Sequence, residues 1–331
     1  VTGPFRNNNP FAVLFIVFYG LLLRFGSFVV PVPAIRSESD GWLYPVLFGW
    51  AMPADGSPGV VPSLLAALLT IVQALSLNAI ANREKLLGRP NHLPGMSHLI
   101  LCSLFPEWWG LSSAMVANTL LIPVWGALNA IFNNPRTGRH LFHAGLLIGL
   151  AALVHKPALG FVAWVFGALF TMGAGSAANW LVAPFGLFIP FYFLLSGLYL
   201  GDRWGEAASI FPQAGFFAPP KTENPSLHYS GLVYMAVMLA YGVWRIQSQV
   251  FKMLIRNRKI WNIAAFYLLL AVAIPFFLAS GDISSRLLMA PALAVFHASG
   301  YGETKPRWIP ETIHIVALVI VAWANLRALS A

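Results

Sequence analysis

Three short stretches of the sequence place ionisable side chains where chemistry could be done. The segment RSESDGW sets Glu38 and Asp40 two residues apart. Carboxylates at that spacing can hold a divalent cation, or one of them can take a proton from an attacking hydroxyl. A solvated acidic loop is the plainer reading of the same residues. A long apolar run, LFHAGLLIGLAALVHKPALGFVAWVF, is interrupted by His155 and Lys156. Pro157 directs Lys156 toward extended backbone, so one helix should end there and another begin. A basic residue and a histidine at such a break can hold an anionic headgroup or a substrate phosphate, or can snorkel to the interface with no ligand. In GDISSRLLMAPALAVFHASGY, Asp282 and Arg286 open a stretch that contains Pro291. The Arg286 fork suits a phosphate or carboxylate, whereas an i,i+4 pair with Asp282 would occupy it without any ligand.

Other residue types carry weaker signals. Eight histidines raise the question of a metal centre, but three or four ligands must converge at one depth. The topology derived below puts His140 and His143 at one face and His155 and His228 at the other, and His92 and His98 have a poor same-face spacing. Most tryptophans, Trp164 among them, fall near span ends as an interfacial belt. Trp42 or the Trp108 and Trp109 pair could instead form a platform for a sugar ring. Gly149, Gly160 and Gly167 read as close-packing points between helices. The single Cys102 lies in an apolar run with no disulfide partner.

The elements that must position these groups are membrane helices. Hydrophobic residues form 58% of the chain and charged residues 9%, against about 25% charged in a soluble domain. The expectation is an all-α, polytopic transmembrane bundle forming a single domain over residues 1–331. Apolar stretches occur at 11–33, 60–81, 92–105, 112–132, 141–155, 157–173, 178–200, 229–244, 260–280, 284–300 and 309–329, which makes about eleven spans. The stretches 92–105 and 141–155 are short, so one of them could be re-entrant. No small-residue cleavage pattern closes the first stretch, which is expected to be a retained span.

With the N-terminus inside, thirteen of twenty Lys and Arg residues fall on the inner side, including Arg83, Arg139, Arg256, Lys305 and Arg307. Eight of eleven acids, including Glu38, Asp40, Asp55, Glu223 and Asp282, fall outside, and the C-terminus is outside as well. Two long, proline-punctuated outer loops result, 34–59 and 201–228. The net charge of +9 is dispersed over connectors, which argues for topology and against a nucleic-acid partner. Membrane lipids are the expected surroundings.

The segment GLLIGLAALVHK, from Gly145 to Lys156, resembles the glycine-punctuated helix ending in Lys of C-type (GT-C) integral-membrane glycosyltransferases, which use polyprenyl-phosphate sugars. Arg286 followed by a Pro291 span is similar to the Arg and Pro helix late in their membrane domain, and RPNHLPGMSHLILCSLFPEW resembles their middle region. The whole chain also resembles an uncharacterised family of bacterial polytopic membrane proteins, through FRNNNPFAVLF, NHLPGMSHLILCSLFPEWWGLSSAMVANTLL and HKPALGF. Some members of that family carry a beta-carotene oxygenase designation, which the histidine placement does not support.

The GT-C resemblance implies a sugar transferred from a polyprenyl phosphate to an acceptor at the outer face of a bacterial inner membrane. Asp40 then matches the catalytic acid of the first outer loop, with Glu38 beside it as a ligand for a divalent cation, the one cofactor in view. Lys156, His155 and Arg286 would face the lipid-linked phosphate. In this sequence Asp40 is followed by Gly41 and Trp42 rather than by the second acid common in that class. The alternative is a non-enzymatic scaffold or transporter subunit of a cell-envelope complex. A transporter would be expected to show buried polar groups at the midplane and related halves, and neither is evident in the sequence.

The topology has a direct test. Cysteines placed at Ser57 and Ser226 should react with an impermeant thiol reagent in intact cells, and one at Asn257 should not. Labelling of the Asn257 probe alone would invert the arrangement.

Overall fold

Apolar segments with no water around them must satisfy their backbone groups internally, and a helix does so within itself. A computed structural model shows this outcome over residues 2–6, 11–52, 58–213, 222, 224–278, 283–302 and 308–330. Asp55, Ser57, Lys221, Glu223, Asp282, Lys305 and Arg307 lie outside these described residues. The helices are α1 (Phe11–Leu23), α2 (Gly26–Val29), α3 (Leu43–Phe48), α4 (Val60–Arg83), α5 (Leu93–Ser103), α6 (Ser113–Asn129) and α7 (Thr137–Val154). They continue as α8 (Val162–Met172), α9 (Ala177–Leu200), α10 (Pro225–Gln249), α11 (Ile255–Leu278), α12 (Ala290–Gly300) and α13 (Trp308–Ser330).

Every apolar stretch picked out in the sequence contains helix. Six helical segments are long and apolar enough to cross a membrane: Val60–Arg83, Thr137–Val154, Ala177–Leu200, Pro225–Lys252, Ile255–Phe277 and Trp308–Ser330. The short stretch 141–155 belongs to this group, because its helix begins four residues earlier, at Thr137. The first stretch breaks at Arg24, between α1 and α2.

At the centre lie two short helices. Each residue of α5 and of α12 is buried, and the two pack on each other, with α4 also against α5 and α10 against α12. Eleven residues each give a rise of only about 16 Å, roughly half the hydrocarbon core. The long helices surround them and carry apolar side chains outward, among them Leu68 on α4, Phe185 on α9, Val237 on α10 and Val319 on α13.

The interior also holds the buried polar groups that were not evident in the sequence. His297 on α12 binds Ser97 of α5 through Nδ1 at 2.8 Å and the Tyr234 hydroxyl of α10 through Nε2 at 2.6 Å. Gln73 on α4 donates to the Met115 carbonyl and Thr119 hydroxyl and meets His98 at 3.2 Å. Each pair ties one helix to another inside the bundle. The guanidinium of Arg24, fully buried, donates to the carbonyls of Cys102 at 3.0 Å and Trp108 at 3.4 Å.

Glycine sets the closest helix pair. An added Cβ at Gly145 on α7 would overlap the Ala183 carbonyl of α9, and one at Gly186 on α9 would overlap the Phe142 carbonyl of α7. Gly149 likewise approaches Leu187, and Gly167 on α8 seats the Phe266 ring of α11. Gly145→Leu should force α7 and α9 apart at a cost of about 1–3 kcal/mol or more. A lowered melting transition in detergent, with membrane insertion preserved, is the expected result.

Candidate functional site

The first long loop is fastened to the bundle before it reaches Asp40. The Ile35 amide donates to the Leu111 carbonyl at 2.8 Å, and the buried Tyr44 hydroxyl donates to the same carbonyl at 2.9 Å. Burial, with Asp40 nearby, raises the Tyr44 phenol well above its ordinary range, so it remains a hydrogen-bond donor.

Asp40 and His155 form an isolated antiparallel bridge. The Gly41 amide donates to the Val154 carbonyl at 2.8 Å, and the Lys156 amide donates to the Ser39 carbonyl at 2.9 Å. The last turn of α7 and the residue after it thus find partners in the loop instead of in water. Contact is so close that a Cβ at Gly41 would overlap the Leu153 carbonyl group. The glycine that stands where the second acid was expected is therefore a steric requirement of the bridge.

The extended residue at the helix break is His155, at φ −139° and ψ 103°, rather than Lys156. Lys156 opens a 3₁₀ segment, Lys156–Phe161, in which Pro157 needs no amide hydrogen. Pairing with Ser39 across the bridge fixes the Lys156 amide and moves the extended conformation one residue earlier.

Side chains converge around this bridge. Asp40 Oδ2 accepts from the Ser37 amide at 3.0 Å, and Oδ1 accepts from the Ser113 hydroxyl at 2.5 Å. Ser113, the first residue of α6, also meets His155 Nδ1 at 2.9 Å, while His155 Nε2 lies 3.3 Å from the Ser285 hydroxyl. Asp40 lines a cavity of about 330 Å³ with Arg36, Ser37, Gly41, Trp42, Tyr44, Pro45, Met52, Lys156 and Ser209. Ser209 belongs to the second long loop, in the 3₁₀ segment Trp204–Ile210, so both loops meet here. That segment is braced by Arg203, which hydrogen-bonds Glu206 and holds its carboxyl below the ordinary range.

Comparison with known proteins agrees at the level of fold. The chain superposes on the crystal structure of ArnT from Cupriavidus metallidurans bound to undecaprenyl phosphate with a TM-score of 0.56, at 14% identity, over 96% of this chain and 64% of that one. The fold is GT-C-like. An Archaeoglobus fulgidus oligosaccharyltransferase in the apo form aligns with a TM-score of 0.49, at 11% identity, over 97% of this chain and 56% of that one. The chain thus spans less than two thirds of the length of either structure. No protein-family model matches the chain, and no curated protein matches its sequence.

On this GT-C-like fold the residues expected from sequence do not all share the cavity. Asp40 and Lys156 line it. Glu38 is exposed and outside the lining, although its backbone carbonyl accepts from Lys156 Nζ at 3.0 Å. His155 is fully buried behind Asp40 and is engaged by Ser113 and Ser285. Arg286 is half-buried on the 3₁₀ segment Ser284–Met289, one residue from Ser285. It does not line the Asp40 cavity. Its expected partner, Asp282, lies outside the described residues.

Tryptophan divides in the same way. Trp42 lines the cavity, but Trp108 and Trp109 are buried and donate to the Ile283 and Ser103 carbonyls at 3.1 Å each. They anchor chain segments and present no platform. Trp164 is also a core residue rather than part of a belt, packed against Tyr267.

Arg36, Tyr44, Ser113, Ser209 and Ser285 were not singled out in the sequence. Arg36 stands in the same RSESDGW segment as Asp40, and its charge was a usable signal. The serines come from three distant parts of the chain, and only tertiary folding joins them.

The cavity lining contains one carboxylate, Asp40, and two cations, Arg36 and Lys156. That donor set does not suit a divalent cation, which needs several oxygen ligands. Among the described residues, moreover, no three His, Cys, Asp or Glu side chains are grouped as metal ligands. A larger cavity of about 690 Å³ lies toward the other end of α7, beside Asn134, Thr137, Gly173 and Trp180. It has no ionisable side chain in its lining and therefore offers no acid or base.

Gly41→Ala should push the loop off α7. Faster deuterium exchange of the Lys156 amide, which donates to the Ser39 carbonyl, is the expected outcome, with the α5 and α12 amides unaffected.

Proposed function

We propose that this chain transfers a sugar from a polyprenyl-phosphate donor to an acceptor hydroxyl at the cavity around Asp40, on the outer side of the membrane. The observation that carries the reading is a carboxylate that shares one cavity with Arg36 and Lys156, where two loops of a GT-C-like fold meet. The ArnT structure with the similar fold is bound to undecaprenyl phosphate, which favours a lipid phosphate as the leaving group.

In this reaction the acceptor oxygen forms a bond to the anomeric carbon as the bond from that carbon to the phosphate oxygen breaks. The bonding electrons leave with the phosphate, and the acceptor proton passes to Asp40 as general base. Lys156 and Arg36 meet the growing negative charge on the phosphate inside the cavity. Arg286, one residue beyond the serine that holds His155, would attract the lipid phosphate from the neighbouring edge. Trp42 offers an apolar face against which a sugar ring can lie.

Asp40→Asn keeps the shape of the side chain and removes its basicity. In reconstituted vesicles with polyprenyl-phosphate sugar, the transfer rate should fall about 10²- to 10⁴-fold, with expression and melting unchanged. Transfer at the normal rate by Asp40→Asn would hand the protein to the scaffold reading.

A further inference from the structure

The hydrogen bonds behind Asp40 have a direction that follows from counting hydrogens. An ionised carboxylate can only accept, and a serine hydroxyl has one hydrogen to give. The Ser113 hydrogen is committed to Asp40 Oδ1. The 2.9 Å contact between Ser113 Oγ and His155 Nδ1 must then run the other way, with the nitrogen as donor. His155 therefore carries hydrogen on Nδ1 whatever the state of Nε2, and Nε2 is held at 3.3 Å by Ser285. Its ring is clamped from both sides, by α6 and by the Ser284–Met289 segment, and is fully buried.

We infer that Ser113 and His155 are positioning residues that keep Asp40 ionised and aimed into the cavity. The inference rests on the reading of Asp40 as the base. With Nδ1 protonated, His155 can only donate to Ser113, and this orientation supports the serine's own donation to Asp40. With the Ser37 amide on the other oxygen, both carboxylate oxygens receive a donor from the protein. This order of groups, carboxylate to serine to imidazole, differs from a nucleophile triad, in which the imidazole stands between the other two. The serine here is a bridge and no nucleophile. The bonds favour the charged form of Asp40, and removing one should raise its pKa.

Other charged or titratable groups also act on Asp40. Arg36 and Lys156 share the cavity lining with it, Tyr44 lies beside it on α3, and Glu38 is two residues away in the same loop. None of them is altered when Ser113 is changed, so the serine can be tested by itself.

The test is an infrared titration of the Asp40 carboxyl in lipid nanodiscs, isolated by subtracting the Asp40→Asn spectrum recorded in the same background. Ser113→Ala should move the midpoint upward by about one pH unit. Ser113→Thr, which keeps the hydroxyl, should return it to the wild-type value. His155→Leu should also raise the midpoint, whereas His155→Asn, which retains an N–H near the Nδ1 position, should raise it less. In the transfer assay the acid limb of the Ser113→Ala rate profile should move to higher pH by the same amount. A purely structural role would lower the rate at every pH without moving the limb. An unchanged midpoint in folded Ser113→Ala overturns the proposal, and should that variant not fold, an unchanged midpoint in His155→Leu overturns it. Failure of the base reading is seen separately, as normal transfer by Asp40→Asn, and leaves the titration result standing.

Discussion

A helix that stops inside a bundle surrounded by lipid leaves carbonyls that only the protein itself can satisfy. Two such ends organise this molecule. At the end of α5, the Cys102 carbonyl is met by the Arg24 guanidinium, and this requires α1 to break at Arg24. At the end of α7, the Val154 carbonyl is met by the Gly41 amide. The second solution brings the first long loop down onto the bundle and sets Asp40 beside His155. The site is thus a by-product of closing a helix end, and its geometry is held by backbone hydrogen bonds more than by side-chain packing.

That origin explains the company Asp40 keeps. A loop fastened at Leu111, Val154 and Lys156 cannot drift, so the carboxylate has a fixed relation to α6 through Ser113 and to the cavity through Arg36 and Lys156. Several desolvated polar groups elsewhere follow the same rule. Ser97, His297 and Tyr234 satisfy one another across three helices, and Gln73 does the same for α6. In the absence of a strong hydrophobic drive between helices in lipid, such pairs and the glycine contacts of α7 with α9 supply specificity.

Much of the fold was legible because apolar run length is a local property. The helices from Val60, Thr137, Ala177 and Trp308 follow the apolar stretches closely. Depth was not legible: nothing in the hydropathy of Leu93–Ser103 distinguishes a short helix buried on all sides from one that faces lipid. For the site, Asp40 and Lys156 could be found because a charge stands out against an apolar background. His155 stood out for the same reason, but its direction was hidden, since a buried bridge residue and a ligand-facing residue look alike in sequence. Ser113 and Ser285 carry no charge and no motif, and they lie 73 and 245 positions from Asp40. Their role exists only after α6 and the segment before α12 have packed.

The two buried short helices have a consequence for assembly. A segment of eleven residues is too short to be retained by a bilayer on hydropathy alone, since a comfortable crossing takes roughly 20. α5 emerges in synthesis well before its mate α12. Until then, the face that α5 will give to α12, including the Ser97 hydroxyl awaiting His297, has no native cover. The outer helices can enter the membrane one after another, whereas the centre closes only when α12 arrives. The middle of this bundle therefore closes late, between two helices that lie far apart along the chain.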